Sequence, residues 1–229
     1  MLELKEEDDD ILSNLMKDCV EICGKLRNIP VKGFGPLVEE NSSTNLRGKF
    51  ETYSEFISHT IKEQKFLLSK MDPSRGQILE EGMQQLEDFF SEPQNSFQIL
   101  SNQKSSLTIV DVNPANFIIS YPSQSIVMID LEVLVGANEL FVMGSWMANL
   151  YGTRAYSHFR KHWGFTMVKQ EETLCIAFGL LRILNIMIHL GLNTELDLED
   201  IKPFGNHLSF KTLILEFCNI LKTSQPIKN

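Results

Sequence analysis

Residues Ile109 to Ser120 read IVDVNPANFIIS, a polar island of Asp111, Asn113, Pro114 and Asn116 between two apolar runs. The β-branched segments on either side, LTIVD (Leu107 to Asp111) and FIIS (Phe117 to Ser120), predict short strands. YPSQ after them predicts a turn, and SIVMID (Ser125 to Asp130) predicts a further strand. A strand that stops at Asp111, loops to Asn116, returns and reaches Asp130 after a hairpin brings three proton- and metal-handling groups to one end of that hairpin. Phosphoryl transfer uses such a set: one carboxylate orients or receives the proton of the attacking hydroxyl, while a carboxamide and a second carboxylate hold magnesium against the phosphates. Pro114 stiffens the loop so that Asp111 and Asn116 face the same way. An Asp followed five residues later by Asn is common, on the order of once in every couple of chains this size. The flanking strands, the proline and the Asp that ends the next strand make the combination much rarer. The plain alternative is an Asx-type turn at Asp111 and Asn113.

Around this island the apolar spacing is helical. Asp10 to Arg27 carries Ile11, Leu12, Leu15, Met16, Cys19, Val20, Ile22, Cys23 and Leu26 near a 3.6-residue period, and the helix is expected to end before Pro30. A second helix is expected over Thr52 to Lys70 with Phe56, Ile57, Ile61, Phe66 and Leu67 inside, and a third over Arg75 to Phe90. VKGFGPLVEENSSTNLRGKF between the first two reads as an ordered loop. After Gly136 the pattern returns to helix, over Leu140 to Tyr151, Glu171 to Leu190 and Ser209 to Leu221. The expected fold is therefore α+β and mainly helical, one domain over residues 1–229 with a small β-hairpin set into its middle.

The run LCIAFGLLRILNIMIHLGL, Leu174 to Leu192, has bilayer-spanning length, but Arg182, Asn185 and His189 form a costly polar stripe along it. It reads as a core helix, and no membrane association is expected. A net charge of −9 and a pI near 5.1 argue against a generic electrostatic hold on nucleic acid and suit a cationic small molecule. The acidic start MLELKEEDDD lacks the layout of a secretory signal, so a cytoplasmic address is expected. Four irregularly placed cysteines make no disulfide framework and read as reduced core or helix-face residues. His158 and His162 stand one turn apart, but Arg160 and Lys161 between them and the missing glutamate argue for a solvated basic face rather than a metal site. Phe159, Trp163 and Phe165 read as core.

The segment D-V-N-P-A-N (Asp111 to Asn116), followed by F-I-I, a hairpin and M-I-D-L-E (Met128 to Glu132), resembles the aminoglycoside phosphotransferase and choline kinase-like small-molecule kinases. L-R-N-I-P-V-K-G-F-G-P-L (Leu26 to Leu37) and L-R-G-K-F (Leu46 to Phe50) look like the entrance to the C-terminal lobe of the same family. The resemblance implies a protein kinase-like C-terminal lobe with Asp111 as catalytic base, Asn116 as a magnesium ligand and Asp130 as the principal magnesium ligand. Asn113 falls at a polar position of the catalytic loop. Magnesium and ATP or GTP are the implied cofactors, and a small-molecule hydroxyl is the implied acceptor.

The chain departs from the family at three places. Ile109 stands where a histidine usually braces the loop, and Val142 stands where an aspartate is common. About ten residues precede the first helix, too few for the nucleotide lobe with its glycine-rich lid and strand lysine. Gly33 to Gly35 is no substitute, because a lone GxG without a preceding strand reads as a turn. An exposed apolar patch is expected where that lobe would dock, with a lobe-bearing partner or a second copy of the chain over it. Beside the kinase reading stand a catalytically inactive kinase-like binding module and a helical interaction protein whose hairpin is only structural.

Overall fold

A computed structural model describes residues 9–39, 46–92, 104–112, 116–120, 125–130, 133–164, 166–193, 200–203 and 206–224. The first helix, α1 (Asp9–Arg27), opens on Asp9 and Asp10 and closes on Lys25 and Arg27, the charge order that complements a helix dipole. Strands β1 (Phe34–Val38) and β2 (Arg47–Phe50) follow, then helices α2 (Tyr53–Leu68) and α3 (Pro73–Ser91). Next come strands β3 (Ser106–Ile109), β4 (Phe117–Ser120), β5 (Ser125–Met128) and β6 (Leu134–Ala137). Helices α4 (Glu139–Leu150), α5 (Arg154–Trp163), α6 (Lys169–Asn193) and α7 (Phe210–Ser224) complete the chain. The fold is α+β and mainly helical, as the sequence predicts.

The β structure is richer than one hairpin. The segment expected to be an ordered loop contains β1 and β2, which pair antiparallel with a register shift between Phe34 and Leu37. They join β6 and β3 in a four-stranded sheet ordered β2-β1-β6-β3, while β4 and β5 form a separate hairpin. Glycine explains why the strands looked like loop. Gly33 and Gly35 take left-handed φ angles of 80° and 83° at the bulge. A side chain on Gly48 would meet the Phe34 backbone at 2.6 Å. Residues that usually break a strand here permit its bend and its close contact.

Helix α2 starts where a capping box dictates. Thr52 Oγ1 accepts from Glu55 N at 3.2 Å, and Glu55 Oε2 accepts from Thr52 N at 3.0 Å. Its buried stripe is Tyr53, Phe56, Ile57, Ile61, Gln64 and Leu68. Phe66, expected inside, is 60% exposed because it lies two residues past Gln64 and so on the far side of the helix. Lys70 Nζ sits over its ring at 4.0 Å.

Helices α4 and α6 form the centre. Every residue from Leu140 to Leu150 is buried, so α4 is covered on all sides. Gly144 and Gly179 let the two backbones touch: a Cβ on Gly144 would stand 2.8 Å from Cys175 O and 3.0 Å from Gly179 N. Phe178 of α6 packs on Phe141 of α4 at 5.5 Å and on Tyr53 of α2 at 5.6 Å between ring centroids. By length and composition α6 could cross a membrane, yet 67% of its most apolar window is buried against its own chain. It is a core helix. All four cysteines are free and buried, and burial pushes the thiols of Cys19 and Cys23 up to about 12 and about 11, out of reach of thiolate chemistry.

The close contact of α4 and α6 gives a stability test. Gly144→Ala should lower stability by about 3 kcal/mol, at the upper end of overpacking costs. Gly24→Ala in α1, where an added methyl meets nothing within 4 Å, should raise it by roughly 0.5–1 kcal/mol. Thermal or urea unfolding of the two variants reads both.

Candidate active site

Strand β3 carries the chain through the core and releases it at the loop. Ile109, where a histidine was expected from the family pattern, is fully buried, and so is Val112. These two apolar side chains anchor the backbone on either side of Asp111. Val110 N donates to Val133 O at 3.2 Å and holds the strand end against the segment leading into β6. Asp111 is left half-buried between its anchors.

Asp111 and Asn116 are brought together. Asn116 Nδ2 donates to the backbone oxygen of Asp111 and to its carboxylate Oδ2, both at 3.1 Å. A second partner comes from 71 residues away in sequence: Arg182 Nη2 of α6 donates to Asp111 Oδ1 at 2.7 Å. The pair is partly buried, with side-chain exposures of 15% for Arg182 and 32% for Asp111. Burial depresses the Arg182 guanidinium from its ordinary value, while the Asp111 charge and hydrogen bond act in the opposite direction. The bracing that Ile109 cannot supply thus comes from Arg182 and Asn116. Sequence reading missed Arg182 as a site residue, although a cation inside an apolar helical run needs an anionic partner and is a signal of one.

Asp130 stands at the same open end of the hairpin. Ile129 N donates to Asn116 O at 2.8 Å, extending the pairing of Phe117 with Met128 by one step, and Asp130 is the next residue. It is exposed and has a φ of 58°, the left-handed region where a non-glycine residue is strained. Among the described residues no hydrogen bond joins it to Asp111 or Asn116, and the backbone pairing of the hairpin carries it to this end. Asn113 and Pro114 lie outside the described residues, as do the YPSQ turn and Phe165.

The donors present fit a magnesium ion. Asn116 commits its nitrogen to Asp111, which leaves its amide oxygen for a cation, and the Asp130 carboxylate is exposed, with no hydrogen-bond partner among the described residues. The described residues hold no group of three or more His, Cys, Asp or Glu that could bind a metal. Magnesium is commonly held by one or two carboxylates with phosphates and water rather than by an all-protein cage, and Asp130 with the Asn116 amide oxygen is a donor set of that kind.

Beside these groups the hairpin offers an apolar face. Alternation along paired strands sets Ile118, Val127 and Ile129 on the side of Asn116. They are 49%, 49% and 41% exposed. Phe117, on the opposite side, packs on Trp146 of α4 at 5.6 Å between ring centroids, and Ile126 and Met128 also meet the core.

The two histidines hold helices together and share no site. His158 Nε2 lies 2.9 Å from Asp9 Oδ1, and His162 Nε2 lies 2.9 Å from Ser13 Oγ, both linking α5 to α1. Arg160 pairs with Glu172 at 2.6 Å. Phe159 and Trp163 are buried, as expected. Val142, at the position where the family favours an aspartate, is buried in α4.

No family model and no curated protein matches the chain. Its fold is α+β and kinase-like. The solved structures it resembles are of aminoglycoside phosphotransferase APH(4)-Ia. The apo form of a thermostable mutant superposes with a TM-score of 0.61 at 12% identity, over 94% of this chain and 67% of that one. A ternary complex with ADP and hygromycin B gives 0.62 at 11% identity, over 95% and 67%. A further APH(4)-Ia structure gives 0.60 at 12% identity, over 95% and 67%. The chain therefore spans about two thirds of the length of those proteins, and the likeness is one of fold.

The site residues separate by what they do for stability. Asn116→Ala removes two hydrogen bonds and should cost about 1 kcal/mol in urea unfolding. Asp130→Gly removes an exposed carboxylate and relieves its backbone, so it should leave stability unchanged or raise it by roughly 0.5–1 kcal/mol.

Proposed function

We propose that the chain is the catalytic lobe of a small-molecule kinase, transferring the terminal phosphoryl group of ATP or GTP to a hydroxyl. The observation that carries this reading is the contact between Asp111 and Asn116 at the open end of a hairpin whose next strand leads to Asp130. Asp111 is the catalytic base. Its carboxylate accepts one hydrogen bond from Arg182 and one from Asn116, so about two of its four lone-pair sites are left for the acceptor hydroxyl and its proton. Asn116 and Asp130 hold magnesium, and Asn113 belongs to the same polar loop. Magnesium bound there neutralises charge spreading over the phosphates during transfer.

The exposed face of Ile118, Val127 and Ile129 supports a nucleotide beside these ligands, because a flat base can cover apolar surface that otherwise meets water. A resembling structure holds ADP and hygromycin B together. The net charge of −9 favours a cationic acceptor of that general kind. In this reading residues 1–229 form one lobe, the lid over the nucleotide comes from a separate lobe, and the free cysteines suit the cytoplasm. A second reading, an inactive kinase-like binding module, draws support from Ile109 in place of the bracing histidine.

Calorimetric titration of the folded chain with magnesium ATP tests the proposal. Binding is expected, and Asp130→Ala should abolish it without lowering the melting temperature by more than a few degrees. A wild-type chain that melts cooperatively and takes up no nucleotide would leave an inactive module, or a lobe that binds nucleotide only together with its lid, as the better account.

A further inference from the structure

Arg182 is surrounded in its helix by Leu181, Ile183 and Leu184, all buried, and is itself largely covered. A guanidinium in that position is costly unless it is paired, and the anion it finds is Asp111. The contact is single rather than forked: Nη2 reaches Oδ1, while Nε is buried without a hydrogen-bond partner. Oδ2 is left to Asn116 Nδ2, so the carboxylate is held at both ends in one orientation. Without the guanidinium, Asp111 would be a third oxygen-bearing side chain beside Asn116 and Asp130, and a divalent cation would draw it in. A carboxylate that ligates the metal gives up lone pairs that the acceptor's proton needs.

We infer that Arg182 is a positioning residue that keeps Asp111 out of the metal's ligand set, by fixing Oδ1 at 2.7 Å and cancelling its charge. This rests on the phosphotransferase reading of the site. It makes an unusual prediction, because removing a core side chain should strengthen binding of an ion. Arg182 carries one positive charge near the cation, and its loss also frees an anionic ligand.

The test is titration of the full chain with manganese(II) alone, followed by loss of the free-ion electron paramagnetic resonance signal, with thermal unfolding as the control for fold. Arg182→Met should bind manganese about tenfold more tightly than wild type. Arg182→Lys, which keeps the charge, should stay close to wild type. Should Arg182→Met fail to fold, Arg182→Gln keeps an N–H donor toward Asp111 without the charge and should show a smaller gain in the same direction. A merely structural role for Arg182 would loosen the site and weaken the ion in every variant. If wild type binds manganese through Asp130 and the uncharged variants bind it no more tightly, the inference is wrong while the phosphotransferase reading survives. If neither wild type nor any folded Arg182 variant binds manganese, both are wrong.

Discussion

A single ion pair ties the helical core to the loop that carries the chemistry. Arg182 issues from α6, a helix packed along much of its length in the core, and Asp111 lies at the end of a strand in a different layer. Neither charge is fully exposed, so each limits where the other can be. The loop is therefore positioned from beneath by α6 and from the side by Asn116, with Ile109 and Val112 as apolar anchors. This arrangement needs α6 to be fixed, and the backbone contact at Gly144 and Gly179 fixes it against α4. The ring cluster of Tyr53, Phe141 and Phe178 adds α2 to the same centre.

Much of this was legible in the sequence, and the failures share a cause. Helices declared themselves through apolar period, as Phe56, Ile57 and Ile61 show for α2. The β4–β5 hairpin declared itself through β-branched runs. Strands β1 and β2 did not, because Gly33, Gly35 and Gly48 made their segment read as loop, and β6, which contains Gly136, was assigned to no element. In the structure these glycines mark places where strands approach too closely for a side chain: a Cβ on Gly136 would meet Gly33 O at 2.8 Å. Glycine reports a missing Cβ, and composition does not say whether the gap serves a turn or a neighbour.

The candidate site divides in the same way. The spacing of Asp111 and Asn116 is local, so their meeting could be read from the loop length. Arg182 is 71 residues from its partner, and only its polarity amid apolar neighbours hinted that a partner existed. Asp130 was placed at the correct end of the hairpin by strand pairing, but its left-handed backbone depends on the path of the chain beyond β5, which no residue pattern announced.

The β4–β5 hairpin has only two strands and keeps one side bare, which makes it intrinsically marginal. Its cohesion comes from the other side, where Phe117 lies against the indole of Trp146. Amide hydrogens of Ile118 and Val127 are therefore expected to exchange through local opening of the hairpin, limited by that tilted ring contact, rather than through global unfolding. The geometry around Asn116 thus leans on packing beneath the hairpin, Phe117 on Trp146 with Ile126 and Met128 beside it, and slow breathing of the hairpin would be governed from the interior of α4.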